Sequence, residues 1–525
     1  MNSQQNEPQP PAQAGSAREA GWVAGAVGVA RSSVDLWDMT THGEPRGGTC
    51  SNAERRSEGG GDGLAKAGLT TPETNKVRKL QITLYRKAKA QPQYRFWSLY
   101  GEVLRRDVLA AALDAVVEND GAPGVDGESL RTITATPESR EQWLEALRDE
   151  LQAKTYRPAP VRRVWIAKSS GGGPRPLGIP TVKDRVVQSA VYLVLMPIYE
   201  ADFHDQSYGF RPKRRAQQAM EAIRESVRTG RVEVLDADLS KFFDTIPHRG
   251  LMQEVARRVS DGALLALIKA RLRAPIVEED QEGKRKVTPN RQGTPQGGVI
   301  CQRPPVLPLR AKAPPFGYLA TLGSPLLANI YLNPLDHQVN ESNRGRHRMI
   351  RYADDFVVLS PAGQSAPIRQ EIESWLAGRG LMLNALKTRT VNVTQEAIRF
   401  LGFTVKVRRS QSGRSYPHVE ASGESCRSLR AKVSGILNHH TQWRAIGEVV
   451  REVNAVVRGW SGYFHYGNSA SVMSRQRYWT CHRLRRWLWR KHGCRGGLHK
   501  HYPNEPLETQ YGLWTPPRHA AWTAA

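Results

Sequence analysis

The sequence predicts an α+β region followed by an all-helical one, and three observations carry that reading. From Tyr156 to about Val407, β-branched runs alternate with helical patterns, as when strands and helices share one core. Beyond residue 425 the strand-like runs stop, and Ile446, Val450, Val453, Val457 and Trp460 form one helical stripe. Two acidic segments, VLDADLSKFF and RYADDF, end apolar runs inside the mixed region.

Taken in order, residues 1–75 are rich in Gly, Ala, Ser, Gln and Pro without sustained periodicity, and are expected to be a disordered or low-complexity extension. The mixed region is expected over 76–410, the helical region over 420–495, and a tail over 496–525. Val103, Leu109, Leu113 and Val116 share one helical face that stops in the turn GAPGVDG. Pro367 opens and Gly378 and Gly380 close a helix carrying Ile368, Ile372, Trp375 and Leu376. The strand-like run IRFLGFTVKV follows it.

Charge narrows the function. The 525 residues carry a net charge of +26, and the excess is uneven: residues 1–75 hold six Lys/Arg against nine Asp/Glu, while the other 450 hold 70 against 41. A polyanion is the matching partner, because a basic surface gains affinity by releasing counterions from phosphates. Five scattered cysteines without a Cys-x-x-Cys pair argue against a disulfide scaffold. Cys481-His482 and His492-x-Cys494 fit no common zinc-finger spacing. Ala20 to Ala30 is too short to span a membrane and lacks the form of a signal peptide. The expectation is a cytoplasmic protein associated with nucleic acid.

The two acidic segments carry the chemistry. Asp354 and Asp355 are adjacent within a strand-like stretch, and paired carboxylates repel unless cations sit between them. In VEVLDADLSKFFDTI, alternation places Asp236 and Asp238 on one strand face, just before Phe242 and Phe243. Asp238, Asp354 and Asp355 can therefore converge on two Mg²⁺ ions and align a 3′-hydroxyl against a triphosphate, which implies a polynucleotide polymerase. Asp238 taken alone could instead be a helix cap. Upstream, Arg162, Arg163, Lys168 and Arg175 surround a Gly-rich turn able to fold over a triphosphate, and GTPQGGVI supplies glycines that permit close backbone approach. The stretch 471–500 holds nine Lys/Arg and no acid, interleaved with Tyr478, Trp479, Trp487 and Trp489. Cations beside flat rings suit nucleic acid, while a solvated basic helix with core tryptophans is the plainer alternative.

In order, KSSGGGPRPLGIP, DRVVQ, SYGFRP, DADLSKFFDTIPH, GTPQGG with SPLLANIYLNPLD, YADDF, LNALKTRT, FLGF and RGWSGYF resemble a bacterial group II intron-encoded reverse transcriptase/maturase over residues 77 to about 495. The resemblance implies a right-hand polymerase, with reverse-transcriptase fingers and palm followed by an α-helical thumb or maturase domain. It also implies cDNA synthesis from deoxynucleoside triphosphates on an RNA template with a DNA primer or target, and binding of group II intron RNA to assist splicing and mobility. By the same resemblance, Asp238, Asp354 and Asp355 match the catalytic metal triad, and Phe243 the gate against a ribose 2′-hydroxyl. Lys168 and Arg175 match the triphosphate contacts, Gln296 the nucleotide pocket and Lys387 the leaving-group lysine. Arg458, Trp460, Tyr463 and Phe464 match the thumb signature; Arg458 and Trp460, with Arg483, Arg485, Arg486 and Arg490 of the basic stretch, are the expected RNA contacts. One departure stands out: 23 residues, Cys301 to Gly323, separate GTPQGGVI from SPLLANIYL, and their five prolines forbid a continuous helix. A maturase that binds RNA but is impaired in polymerisation is therefore the competing expectation. No zinc-bearing endonuclease pattern follows residue 500, so mobility is expected not to depend on an in-chain second-strand nuclease.

Overall fold

A computed structural model of the chain describes residues 72–166, 174–279, 284–294, 323–342 and 345–517. These belong to one unit, Gly63–Ala525. Residues 1–71 of the predicted extension, Lys168, Gln296 and the 301–322 part of the insertion lie outside the described residues, as does the side chain of Arg175.

Pro72–Ala90 (α1), Tyr100–Val103 (α2), Arg106–Glu118 (α3), Leu130–Ile133 (α4) and Pro137–Gln152 (α5) lead into the strands Val161–Ile166 (β1) and Arg175–Ile179 (β2). Helix starts four residues before the expected boundary at 76. The helix expected from Val103 is broken, because Arg105 takes extended backbone and pairs with Glu102 and Asp107 across the gap. Next comes Val182–Glu200 (α6), apolar on nearly every face, and such a helix belongs in the interior. It is capped by the Thr181 hydroxyl, which accepts from Asp184 N–H, and α1 and α3 pack on it.

Ala216–Arg228 (α7), Glu233–Asp238 (β3), Phe242–Thr245 (α8), His248–Ala256 (α9), Gly262–Leu272 (α10), Ile276–Glu279 (β4) and Arg285–Thr288 (β5) follow. Strands β2, β1, β4 and β5 form the first sheet in that order, with β1 and β4 parallel and therefore joined by a long crossover. Gly323–Glu341 (α11), Arg348–Tyr352 (β6), Asp355–Ser360 (β7), Ser365–Gly378 (α12) and Arg389–Asn392 (β8) complete the second sheet, ordered β6, β7, β3, β8 and antiparallel throughout. Ile398–Phe400 (β9), Phe403–Arg409 (β10) and Ser415–Ala421 (β11) make a third, smaller sheet. Its last strand was not anticipated from the sequence.

After β11 the described chain is helical: Gly423–Ile436 (α13), Ile446–Phe464 (α14), Ala470–Lys491 (α15), Leu498–His501 (α16) and Asn504–Thr509 (α17). Val450, Val453, Val457 and Trp460 of the predicted stripe meet Leu429, Val433, Leu484 and Leu488 in one core. Residues after 495 are not a free tail, since Tyr502, Leu507 and Leu513 are buried in that same core.

One buried cation ties the second sheet together. Arg351 of β6 is fully buried, and its guanidinium donates to Asp336 Oδ1 at 2.8 Å, Asn329 Oδ1 at 2.7 Å, Ser207 Oγ at 2.9 Å and the Ala353 carbonyl at 2.8 Å. A buried charge is tolerable only when paired and fully hydrogen-bonded. Removing one partner leaves the other stranded. Asp336→Ala is therefore expected to cost about 3–5 kcal/mol, read from urea unfolding followed by tryptophan fluorescence. A loss of only a few tenths would show that the pair carries little.

Candidate active site and nucleic-acid surface

The second sheet converts two sequence-distant acidic segments into neighbours. Strands β6 and β7 are joined by only Ala353 and Asp354, and Ala353 takes φ 62°, the left-handed backbone that two-residue hairpins favour. Register then sets Asp238, the last residue of β3, directly opposite Asp355, the first of β7. Like charges at opposed positions destabilise a sheet. Burial, and then the Asp354, Asp238 and Asp236 carboxylates, push Asp355 up to about 7. Since Asp355 keeps much of its solvent exposure, the neighbouring charges are the firmer of these causes. Asp354 is shifted upward too, chiefly by burial, with Asp238 adding to it.

Asp238 is attended by cationic and polar groups from the loop before β8. Lys387 Nζ lies 3.0 Å from Asp238 Oδ2, and Asn384 Nδ2 is 3.3 Å from the same oxygen. Asn384 N–H also donates to the Asp238 carbonyl at 2.7 Å. Asp236, two residues back, pairs with Arg389 at 3.4 Å and so belongs to the sheet's own charge balance. Among the described residues no group of three or more carboxylate, imidazole or thiolate side chains is placed to hold a metal ion. Mg²⁺ does not require such a ready-made group: it takes hard oxygen donors, usually one or two carboxylates, and keeps waters or substrate phosphates for the rest. The donor set of Asp238, Asp354 and Asp355 fits that chemistry.

Phe243 stands just beyond Asp238. Lys241, at φ 46°, turns the chain sharply into α8, burying Phe242 and leaving Phe243 half-buried against it with ring centroids 5.3 Å apart. Thr294 N–H donates to the Phe243 carbonyl at 2.7 Å, and Gly293 lies so close that a Cβ there would come within 2.7 Å of the same oxygen. The chain entering GTPQGG is thereby docked beside Phe243. In the first sheet, β1 and β2 pair antiparallel out to Ile166 opposite Arg175, and the Gly-rich turn between them lies outside the described residues. Arg162 and Arg163 are taken up locally, by the Pro123 carbonyl at 2.9 Å and by Glu278 at 3.1 Å.

The helical region divides the predicted RNA contacts. Trp460 is buried, and its Nε1 donates to the Ser425 carbonyl at 3.1 Å, so it belongs to the core rather than to a binding surface. Arg485 is corrected likewise: it is fully buried and donates to the Tyr502 carbonyl at 2.5 Å and to Asn504. Positions three or four residues from Arg485 on α15 share its inward face, whereas Arg486 and Arg490 are exposed. With Arg483 they line a shallow hollow beside Leu437, Asn438, Gln442 and Trp487 that has no acidic wall. Burial, then Arg486 and Arg490, lowers the Arg483 pKa, the mark of cations crowded together. Arg458 is exposed and lies over the Trp514 ring at 5.5 Å. Of the interleaved rings, Trp487 is core, Trp479 and Trp489 pack against it, and Tyr478 is exposed. Four participants escaped the sequence reading: Arg351, Asn329, Asp336 and Asn384. The seven-residue spacing of Asn329 and Asp336, which sets two polar residues on one helical face, was the signal available for those two.

Residues 166–303 and 315–405 match the reverse transcriptase (RNA-dependent DNA polymerase) family, and residues 426–502 match the group II intron maturase-specific domain. The break between 303 and 315 falls within the extra segment. The chain is 32% identical over 400 residues to protein YkfC of Escherichia coli K12, covering 69% of this chain and 96% of that protein. It is 30% identical over 378 residues to the group II intron-encoded protein LtrA of Lactococcus lactis, covering 60% of this chain but 57% of LtrA. Nuclear intron maturase 2 of Arabidopsis thaliana is 28% identical over 196 residues, 35% of this chain and 26% of that protein. Fold order, paired acidic strands, helical region and both family matches agree: the chain belongs to the group II intron reverse transcriptase/maturase family.

Proposed function

We propose that the chain is an RNA-directed DNA polymerase that also binds group II intron RNA to assist splicing and mobility. The observation that carries this is the register placing Asp238 opposite Asp355 beside Asp354, with Lys387 resting on Asp238. In this reading the three aspartates hold two Mg²⁺ ions, which when bound supply positive charge that activates a primer 3′-hydroxyl and neutralises the triphosphate. Lys387, 65% exposed at its side chain and resting on Asp238, is the cation that would serve the leaving pyrophosphate. Phe243 walls the ribose 2′ position, while Lys168, Arg175 and Gln296 hold the incoming deoxynucleoside triphosphate. Arg458, Arg483, Arg486 and Arg490 contact RNA phosphates. Fingers and palm then occupy 76–410 and the thumb begins near 420. Among the described residues no helix is long and apolar enough to cross a membrane.

A second reading, a maturase impaired in polymerisation, is favoured by the interruption of the reverse transcriptase match inside 301–323. Primer extension on an RNA template decides between them. The parent is expected to extend a DNA primer and Asp354→Asn to do so orders of magnitude more slowly with RNA binding kept. A parent that binds RNA but extends nothing supports the second reading.

The Asp355 shift gives a stability test. An acid whose folded pKa is raised keeps its proton in the folded state while the unfolded chain has released it, so stability falls as pH rises from about 4 through about 7. Chelator-treated protein is expected to melt lower at about pH 8 than at about pH 5.5, Asp355→Asn to flatten that difference, and added Mg²⁺ to restore the midpoint at the higher pH. An unchanged pH profile in Asp355→Asn would assign the dependence elsewhere.

For the thumb, replacing Arg483, Arg486 and Arg490 with Gln is expected to weaken intron-RNA binding and lower the salt slope by roughly 0.7 to 0.9 per lost phosphate contact. Arg485→Gln should instead lower the melting temperature. A slope that stays put in the triple variant assigns these residues to a solvated face.

A further inference from the structure

One aromatic beside the acidic hairpin has no role in the chemistry above. Phe210 is 47% exposed and adopts φ 56°, a conformation that a bulky L-residue rarely takes. Neither property helps the fold. Strained backbone of this kind persists where its surroundings over-determine it, and it gathers at functional sites.

Phe210 is braced from both sides. On one side, Gly209 lies so near the hairpin that a Cβ would come within 2.4 Å of Ala353 N, and its carbonyl accepts from Asn329 Nδ2 at 2.8 Å. Tyr208 N–H donates to the Arg351 carbonyl at 2.9 Å. On the other side, the buried Arg211 guanidinium grips Glu200 and donates to the His204 and Ser207 carbonyls, each at 2.7 Å. The outcome is an exposed ring on a braced backbone, 6.4 Å from the Tyr352 ring and three residues before the exposed Lys213. A flat exposed ring held on a fixed backbone is what a single nucleic-acid base stacks upon.

We propose that Phe210 is a preorganised stacking platform for a base of the primer–template at the mouth of the acidic hairpin. Only the identity of the bound strand as a primer–template rests on the polymerase reading; the stacking contact itself does not. The platform is a contact that the aspartates and Phe243 do not provide, since they act on metal and incoming nucleotide.

The test uses the full chain and a DNA primer annealed to an RNA template, with Phe210→Gly, Phe210→Ala and Phe210→Trp. Glycine accepts the left-handed backbone without strain, so Phe210→Gly should melt at or above the parent midpoint. Its dissociation constant for primer–template, by fluorescence anisotropy, should nevertheless rise about five- to tenfold, with Phe210→Ala alike and Phe210→Trp near the parent. The proposal is overturned if Phe210→Gly binds as tightly as the parent, or if its affinity and melting midpoint fall together as for a core residue. Primer extension by the parent keeps the two readings apart. If the parent extends nothing while Phe210→Gly still loses affinity, the polymerase reading fails and the platform stands; if the parent extends and Phe210→Gly binds and extends equally, only the platform fails.

Discussion

The acidic hairpin depends on the guanidinium beneath it. Arg351 donates at once to helix α11 through Asn329 and Asp336, to the loop before α7 through Ser207, and to the hairpin's own Ala353 carbonyl. A planar fork of five donors is the side chain suited to joining three segments in fixed relative positions. Because the group is fully buried, the alternative to this bonding is an unpaired charge in a low-dielectric interior. That constraint holds Asp354 and Asp355 where a two-residue turn alone would leave them free to shift.

Helix α11 is also where the extra segment meets the site. Its first residue is Gly323, and Asn329, less than two turns on, bonds both Arg351 and the Gly209 carbonyl. A change in the helix start is thereby passed to the hairpin and to the Phe210 loop through hydrogen bonds rather than through general packing. Catalytic rates are sensitive to displacements near 1 Å, so tolerance of a long insertion by the fold and by the chemistry are separate matters.

Backbone strain marks the same region. Of the seven non-glycine residues with positive φ among the described residues, Phe210, Lys241 and Ala353 lie in the segment carrying SYGFRP, the turn after Asp238 and the acidic hairpin. Gly209 packs on Ala353, and Lys241 turns the chain three residues beyond Asp238, so these three turns surround the acidic strand ends. The thumb is built on a different balance, with Arg485 and Trp460 spent on the core and Arg483, Arg486 and Arg490 left to the surface, so a basic, aromatic-rich helix serves both packing and charge.

By itself the sequence determined the fold class, the order of elements and the acidic residues, because alternation, helical periodicity and motif order are local properties of the chain. Asp238, Asp354 and Asp355 could be picked out in this way as an acidic set, whereas Phe243 and Lys387 were named only through the resemblance. Only the tertiary structure decided which groups meet. It set Asp238 opposite Asp355, placed Lys387 and Asn384 on one aspartate oxygen, and turned Arg485 and Trp460 inward while Arg486 and Arg490 stayed out. It also revealed the Arg351 network and the strained Phe210. The reason is physical: burial and pairing depend on what packs across from a residue, and for Arg351 and Phe210 those partners lie on other elements, beyond the reach of any local pattern.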